Sequence, residues 1–593
     1  MNSIDAALLV QLKREPYLNQ RLLADAVGCS LGLVNKSLRS LVAEGFLTED
    51  LNLTGKANDA LSSRAPRNAI ILAAGLGMRM VPVNYIQPKG LIEVHGESLV
   101  ERLIRQLNEA GIDDITVVVG FMKERFEYLI DAYDVKLVVN GEYATKNNLH
   151  SLSKAAGRIS NTYIVPSDVW CARNPFHDYE PYSWYMVSDL VDDESTVRIT
   201  RKGDLAPATR GQAGNRMVGI AYILDEDAEG LMKRIAALER DSGYDGAFWE
   251  DALFGEGSSR IMAKPVHASE VVEIDTYEQL RDFDEESNQL KSDAIETIAS
   301  RLNVAAEDVS DISVLKKGMT NRSFLFSADG SKYIMRIPGE GTDQLIDRFQ
   351  EAEVYRTIAG LGLCDDPVYI NPDNGYKITR FLEGVRTCDI ESVEDLEACM
   401  AKLRRFHGMR LSVSHVFDIF ERIDFYESLW NGVPSEYRDY ERTKAGVLSL
   451  REYVESQPCD WCLTHIDAVP DNFLFHDDGE GGEALQLTDW EYAGMQDPHV
   501  DIAMFAIYAM YDKERVDRLI DIYFDSDGGC SRAVRAKIYC YVAMCGLLWS
   551  NWCEYKRSLG VEFGDYSLAQ YRYAKDFCRY AKALMGTNGG DEL

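Results

Sequence analysis

At 593 residues the chain is too long for one hydrophobic core, and 46% hydrophobic with 27% charged residues is an ordinary globular composition, with no low-complexity tract and no internal repeat. The formal net charge of -33 argues against a protein whose main task is to grip nucleic-acid phosphate, though not against a small DNA-reading domain of different local charge. A signal peptide is not expected at the start, the near-apolar run Ile538 to Trp549 falls short of the roughly 20 residues of a bilayer span, and the twelve cysteines are scattered, so the expectation is a reducing cytoplasm and no membrane partner.

Residues 1–62 read as short helices. Asn19 to Ala26 and Leu31 to Val42 carry apolar residues at helical spacing and are joined by Val27-Gly28-Cys29-Ser30, a glycine-containing tight turn. Leu33, Val34, Leu38 and Leu41 are expected in the core, with Asn35, Lys36 and Arg39 outward, and the stretch 45–57 is expected to form a small two-stranded wing. The pattern resembles winged-helix domains of bacterial regulators, which makes DNA one partner for residues 1–62 and a structural or dimerising role the alternative. Residues 1–66 hold seven Lys or Arg against seven Asp or Glu, neutral within an acidic chain.

After the linker Ser62 to Arg67, strands alternate with helices over 67–285. Asn68–Ala74, Asp114–Phe121, Val135–Asn140 and Tyr163–Ser167 are β-rich, and Leu99–Ala110 is an amphipathic helix, which predicts a mostly parallel sheet covered on both faces. The first strand runs into Gly75 and Gly77, whose backbone N–H groups can approach a polyphosphate, followed by the cations Arg79 and Lys89. The string AAGLGMRM, a seven-residue gap and PKGL resemble the nucleotidyltransferases that make sugar nucleotides, and more closely their phosphocholine cytidylyltransferase branch, over residues 68–280. The resemblance implies a Rossmann-like fold and attack of a phosphate monoester on the α-phosphorus of CTP. It implies that Gly75, Gly77 and Arg79 cradle the triphosphate, that Lys89 lies near the reacting centre and that Asp168 holds Mg²⁺. Asp251 is the second metal candidate, with Asp275 competing for the role. Trp184, Tyr185 and Trp249 are candidates to hold the trimethylammonium of phosphocholine, the alternative being that they are core residues and the acceptor a sugar 1-phosphate.

An acidic stretch leads to a third segment, 295–593. Leu315–Phe326 and Tyr333–Ile337 are expected to pair as an antiparallel hairpin ahead of a helix-rich remainder. His465-Ile-Asp467-Ala-Val-Pro-Asp-Asn472 and Asp489 after Leu487-Thr488 supply what phosphoryl transfer to an alcohol needs: one carboxylate to take the hydroxyl proton, and an amide and a carboxylate to hold Mg²⁺. This portion resembles the choline and ethanolamine kinases of the protein-kinase-like superfamily, over about 310–585, and implies an α+β fold. The resemblance makes Asp467 the base, Asn472 and Asp489 the metal ligands, Leu315–Phe324 the loop over the ATP, and Arg336 the cation paired with Glu351, or with Glu353. Trp490, Glu491, Trp549 and Trp552 suit a quaternary ammonium cage, the alternative being a buried aromatic seam. Choline, phosphocholine, ATP and CTP are thus the expected small-molecule partners, with ethanolamine or a sugar as substrate, or a ligand-sensing regulator, as the alternatives.

Overall fold

The computed structural model describes residues 3–586 except 16, 18, 194, 209–212, 256, 316–320, 340–344, 365, 478–481, 526–527 and 559–562. Residues 316–320, half of the loop expected over the ATP, therefore lie outside the described residues. The chain divides into two compact units, one holding Met1–Ser300 and Ala305–Val314, the other Arg301–Val304 and Leu315–Leu593.

The first unit opens with the helices Ser3–Arg14, Gln20–Val27, Leu31–Ala43 and Gly55–Ser62. The Asn19 side chain accepts from the N–H groups of Arg21 and Leu22, and Gly28 ends that helix at φ 68°, a left-handed conformation that glycine adopts without strain. Val34, Leu38 and Leu41 are buried, whereas Leu33 is 40% exposed. Spacings of four and three put 34, 38 and 41 on one stripe, and residue 33 lies about 100° round the helix from it. The wing consists of one antiparallel bridge, Leu47 to Leu53. Arg14 donates to the Tyr179 carbonyl and Arg64 to the Pro181 carbonyl, so both helical ends are tied to the segment preceding a strand of the following sheet.

That sheet has seven strands: β1 (Asn68–Ala73), β2 (Ile115–Val119), β3 (Lys136–Val139), β4 (Thr162–Pro166), β5 (Trp184–Asp192), β6 (Gly214–Ile223) and β7 (Met262–Val266). Their order is β7-β5-β6-β4-β1-β2-β3. Strands β4, β1, β2 and β3 run parallel, β7 is parallel to β5, and β6 alone is antiparallel to its neighbours. Side chains alternate across the pleat. Ile71 and Val117 pack with Leu103 and Leu107 of the helix Leu99–Glu109, while Ile70 and Val118 pack with Leu149 and Leu231 of two helices on the other face. A two-faced cover of this kind leaves the carboxyl ends of the parallel strands as the open edge, where such sheets bind ligands.

In the second unit Asn321–Ala328, Ser331–Pro338, Lys377–Arg380 and Tyr369–Ile370 lie side by side, antiparallel throughout. Helices fill most of the rest. The longest, Arg532–Ser558 and Asp565–Gly586, approach so closely at Gly546 that a Cβ there would sit 2.7 Å from the Tyr573 Cβ and 2.8 Å from the Gln570 carbonyl. No helix among the described residues is long and apolar enough to cross a membrane.

Candidate active sites

In the first unit a cleft of about 540 Å³ opens at the carboxyl ends of β1 and β4. Gly75 faces open space there, while Gly77, at φ 58°, has a backbone that a side chain would strain, and its Cβ would lie a tight 3.1 Å from the Lys89 Cβ. The short strand Val271–Glu273 pairs antiparallel with Val169–Cys171, setting Glu273 opposite Val169 and so beside Asp168 at the end of β4. Asp275 follows, immediately before the helix Tyr277–Phe283, whose Thr276–Gln279 capping box fixes the turn.

These three carboxylates converge, with one oxygen from each within 4.8 Å of the others. Lys89 Nζ stands 2.5 Å from Asp168 and also donates to Asp275, and Arg79 Nη2 lies 3.1 Å from Asp275. Burial works against the Lys89 ammonium, but Asp168 and Asp275 outweigh it and raise its pKa. Burial, reinforced by the charges of Asp168 and Asp275, pushes Glu273 up to about 7. An all-oxygen set with one carboxylate already reluctant to ionise suits a hard divalent cation, whose charge would draw Glu273 into the ionised form.

Asp251, expected as the second metal ligand, sits on a short 3₁₀ turn away from this cluster, and Glu273 and Asp275 stand in its place beside Asp168. Glu273 was not foreseen; the alternation Glu273-Ile274-Asp275 before a capping box was the available signal. Trp184 also departs from expectation. It is 1% exposed in the core, its indole N–H donates to Glu180, and the Lys264 ammonium lies 3.9 Å from its ring centroid, so it presents no face to the cleft. Tyr185 and Trp249 lie behind the cleft wall, with ring centroids 5.8 Å apart, but at 0% and 1% exposed they too are core residues with no open ring face. Glu250, next in sequence to Trp249, lines the cleft, accepts from the Tyr185 hydroxyl at 2.8 Å and is pushed up to about 7 by burial.

The second unit holds a larger cleft, about 990 Å³. Asp467, Asn472 and Asp489 all line it, and the Asn472 amide donates to the Asp467 carbonyl at 2.8 Å and to its carboxylate at 3.1 Å. The loop carrying Asp467 is fastened from behind by Asp501, which accepts from the N–H groups of His465 and Ile466 and pairs with His407 at 2.9 Å. That grip holds Ile466 at φ 70°, an unfavourable conformation for a β-branched residue. Burial, then the charges of Asp489 and Glu491, push Asp467 up to about 8.

Arg336 forks onto Glu351 through two bonds of 2.6 and 2.7 Å, and Glu353 turns away to bind Ser414. Burial alone would raise Glu351, but Lys377 and Arg336 hold it down at about 2. Trp549 and Trp552 meet edge to face with centroids 5.3 Å apart, and Tyr492 meets Trp549 at 6.1 Å, making an aromatic end to the cleft. Trp490, by contrast, is fully buried against Phe406 and His465 and bonds the Leu487 carbonyl, and Glu491 is drawn to Arg336 and Arg348 at 3.6 and 3.5 Å. Neither belongs to the aromatic end: Trp490, on the turn after the strand Glu483–Leu487, is packed inward, and the arginines claim the Glu491 carboxylate.

Two nucleotide-using transferase sites therefore occupy one chain, a nucleotidyltransferase cleft and a kinase-like cleft. Residues 1–48 match the winged helix-turn-helix DNA-binding family, 69–178 the MobA-like NTP transferase domain and 311–538 the phosphotransferase enzyme family. The chain is 33% identical to the 2-aminoethylphosphonate cytidylyltransferase of Lancefieldella rimae (38% of this chain, 94% of that protein). It is 28% identical to the choline-phosphate cytidylyltransferase of Streptococcus pneumoniae (37% and 96%) and 30% identical to protein LicA of Haemophilus influenzae (42% and 95%). Through its middle domain the chain belongs to the cytidylyltransferase family of the first relative, and through its C-terminal domain to the family of protein LicA, a choline-kinase-like phosphotransferase. It is a transferase enzyme.

Proposed function

We propose that the C-terminal site phosphorylates choline with ATP and that the middle site joins the phosphocholine to CMP from CTP, giving CDP-choline and pyrophosphate. The observation that carries this reading is the fusion itself: a choline-kinase-like domain makes the acceptor that a cytidylyltransferase similar to a choline-phosphate cytidylyltransferase would use. Asp467 takes the hydroxyl proton as the choline oxygen attacks the γ-phosphorus and ADP leaves. In the middle cleft the phosphate oxygen of phosphocholine attacks the α-phosphorus of CTP, with Gly77, Arg79 and Lys89 holding the triphosphate. Mg²⁺, held by Asn472 and Asp489 in one site and by Asp168, Glu273 and Asp275 in the other, would offset the charge gathered on the phosphate oxygens. The aromatic faces of Trp549 and Tyr492, backed by the buried Trp552, suit a trimethylammonium group in the kinase cleft, and in the middle cleft the Glu250 carboxyl is the group that would meet it.

The 33% identical relative favours a second reading, in which the acceptor is 2-aminoethylphosphonate. That compound already carries its phosphorus and needs no kinase, so the C-terminal domain would serve another alcohol. Incubating the protein with Mg²⁺, ATP, CTP and either choline, ethanolamine or 2-aminoethylphosphonate, with mass spectrometry of products, separates the two. CDP-choline that forms only when ATP, CTP and choline are all present is expected; a CMP adduct of the phosphonate from CTP alone, with choline untouched, would overturn the reading. For residues 1–62 the proposed partner is DNA, met by the exposed Lys36 and Arg39 of the helix Leu31–Ala43, and the proposed location is the cytoplasm.

Glu250 gives this reading a pH signature. Its carboxyl is protonated below about 7 and ionised above, so the anion that faces a cationic head group forms as pH rises. Between pH 6 and 8 the ionised fraction changes about tenfold, and the KM for phosphocholine is expected to fall accordingly. Glu250→Gln should lose this dependence and keep only the change due to the acceptor's own phosphate, which titrates in both enzymes. Parallel pH profiles for the two proteins would remove Glu250 from the acceptor site.

A further inference from the structure

The kinase cleft contains a buried cation that the sequence reading passed over. Lys377 is 7% exposed and lines the cleft, on the strand Lys377–Arg380 directly across from Arg336. Side chains directly opposite in an antiparallel pair share a face, so both cations point the same way.

Their partners differ. Arg336 has both terminal nitrogens engaged by the two oxygens of Glu351, at 2.6 and 2.7 Å, and one of them also reaches the Gly375 carbonyl at 3.4 Å. The two-pronged end of the fork is closed, and the inner Nε of Arg336 is left without a hydrogen-bond partner among the described residues. Lys377 is the third cation on the same carboxylate, after Arg336 and Arg348, and the most distant at 3.4 Å. Its short bond, 2.8 Å, goes to the hydroxyl of Tyr355, a neutral group. An ammonium has three donors and a buried one is costly without an anion of its own, which neither a phenol nor a carboxylate already forked by an arginine supplies. Burial, and then Arg336, lower the Lys377 pKa against the pull of Glu351, Asp489 and Glu491, none of which gives it a carboxylate of its own within hydrogen-bond distance other than the shared Glu351. A triphosphate entering the cleft brings the missing charge, and a lysine on a flexible stem can turn to it without breaking the Arg336–Glu351 fork.

We propose that Lys377 is the cation that binds the nucleotide phosphates in the kinase cleft, and that Arg336 is a positioning residue that holds Glu351 and the strand in place. This deepens the kinase reading and rests on it. The test uses the full chain in Mg²⁺ and excess CTP, which fills the middle cleft, and measures the heat of binding of ATP and of adenosine. Lys377→Met is expected to weaken ATP at least tenfold and leave adenosine within twofold, since adenosine carries no phosphate. Lys377→Arg, which keeps the charge, should recover ATP affinity to within about fivefold of wild type. Equal ATP affinity in wild type and Lys377→Met, parallel loss of adenosine and ATP, or no recovery with arginine would each overturn the assignment. Absence of ATP binding by the wild-type protein under CTP would instead overturn the kinase reading itself.

Discussion

Asp467→Asn is expected to slow ATP-dependent phosphorylation of choline by about a thousandfold or more, close to 4 kcal/mol of barrier, and to leave cytidylyl transfer to supplied phosphocholine within twofold. An ionised carboxylate at 467 can take a proton from an attacking alcohol, which an amide cannot. The substitution is nearly isosteric, and the new amide oxygen can still accept from Asn472, which bonds the Asp467 carboxylate at 3.1 Å. The loop itself is held by backbone N–H groups of His465 and Ile466 on Asp501, contacts the substitution does not touch. Loss of rate would therefore report chemistry and not unfolding, and the cytidylyl reaction of the same preparation serves as the control. A variant retaining a tenth of wild-type phosphorylation would remove Asp467 from the role of base.

Much of this was legible in the chain because local signals sufficed. Strands β1, β2, β3 and β4 fall within a residue or two of where β-rich runs between turn residues put them, and the hairpin Asn321–Pro338 lies where two apolar runs flank Asp329-Gly330. The spacing from His465 to Asn472 brought Asp467 and Asn472 onto one loop, since five residues of tight turn leave their side chains in contact. Pairings made across the fold were less legible. Glu273 and Asp275 reach Asp168 only because a strand about a hundred residues later returns to pair beside it, and nothing near Asp168 announces that return. Asp501 stands alone in the apolar helix His499–Tyr508, a lone charge in a buried run, which is a sign of a buried partner but not of which one. Aromatic residues misled for a related reason: a strand sends consecutive side chains to opposite faces, so Trp184 enters the core on one face of the sheet and Tyr185 the core on the other, behind the cleft wall, while Trp490 packs inward from a turn.

The cluster at the end of β4 sets the second large effect. Asp275→Asn is expected to cut cytidylyl transfer by about a thousandfold, with choline phosphorylation unchanged, whereas Asp251→Asn should stay within threefold. Asp275 is engaged on both sides, by Lys89 and by Arg79 at 3.1 Å, and is held below the usual carboxylate range because Lys89 and Arg79 outweigh the effect of burial. An amide in its place would remove one charge from the proposed metal site, take away the carboxylate that Arg79 pairs with and leave Lys89 with Asp168 alone, so binding and turnover should fall together. Asp251 has neither neighbour: its carboxyl is raised by burial and faces none of the three converging oxygens. Steady-state rates of pyrophosphate release from CTP and phosphocholine, measured across a Mg²⁺ series, would separate the two aspartates. A rightward shift of the Mg²⁺ dependence confined to Asp275→Asn is the expected result; a larger loss in Asp251→Asn would move the metal away from the end of β4 and toward the turn Trp249–Leu253.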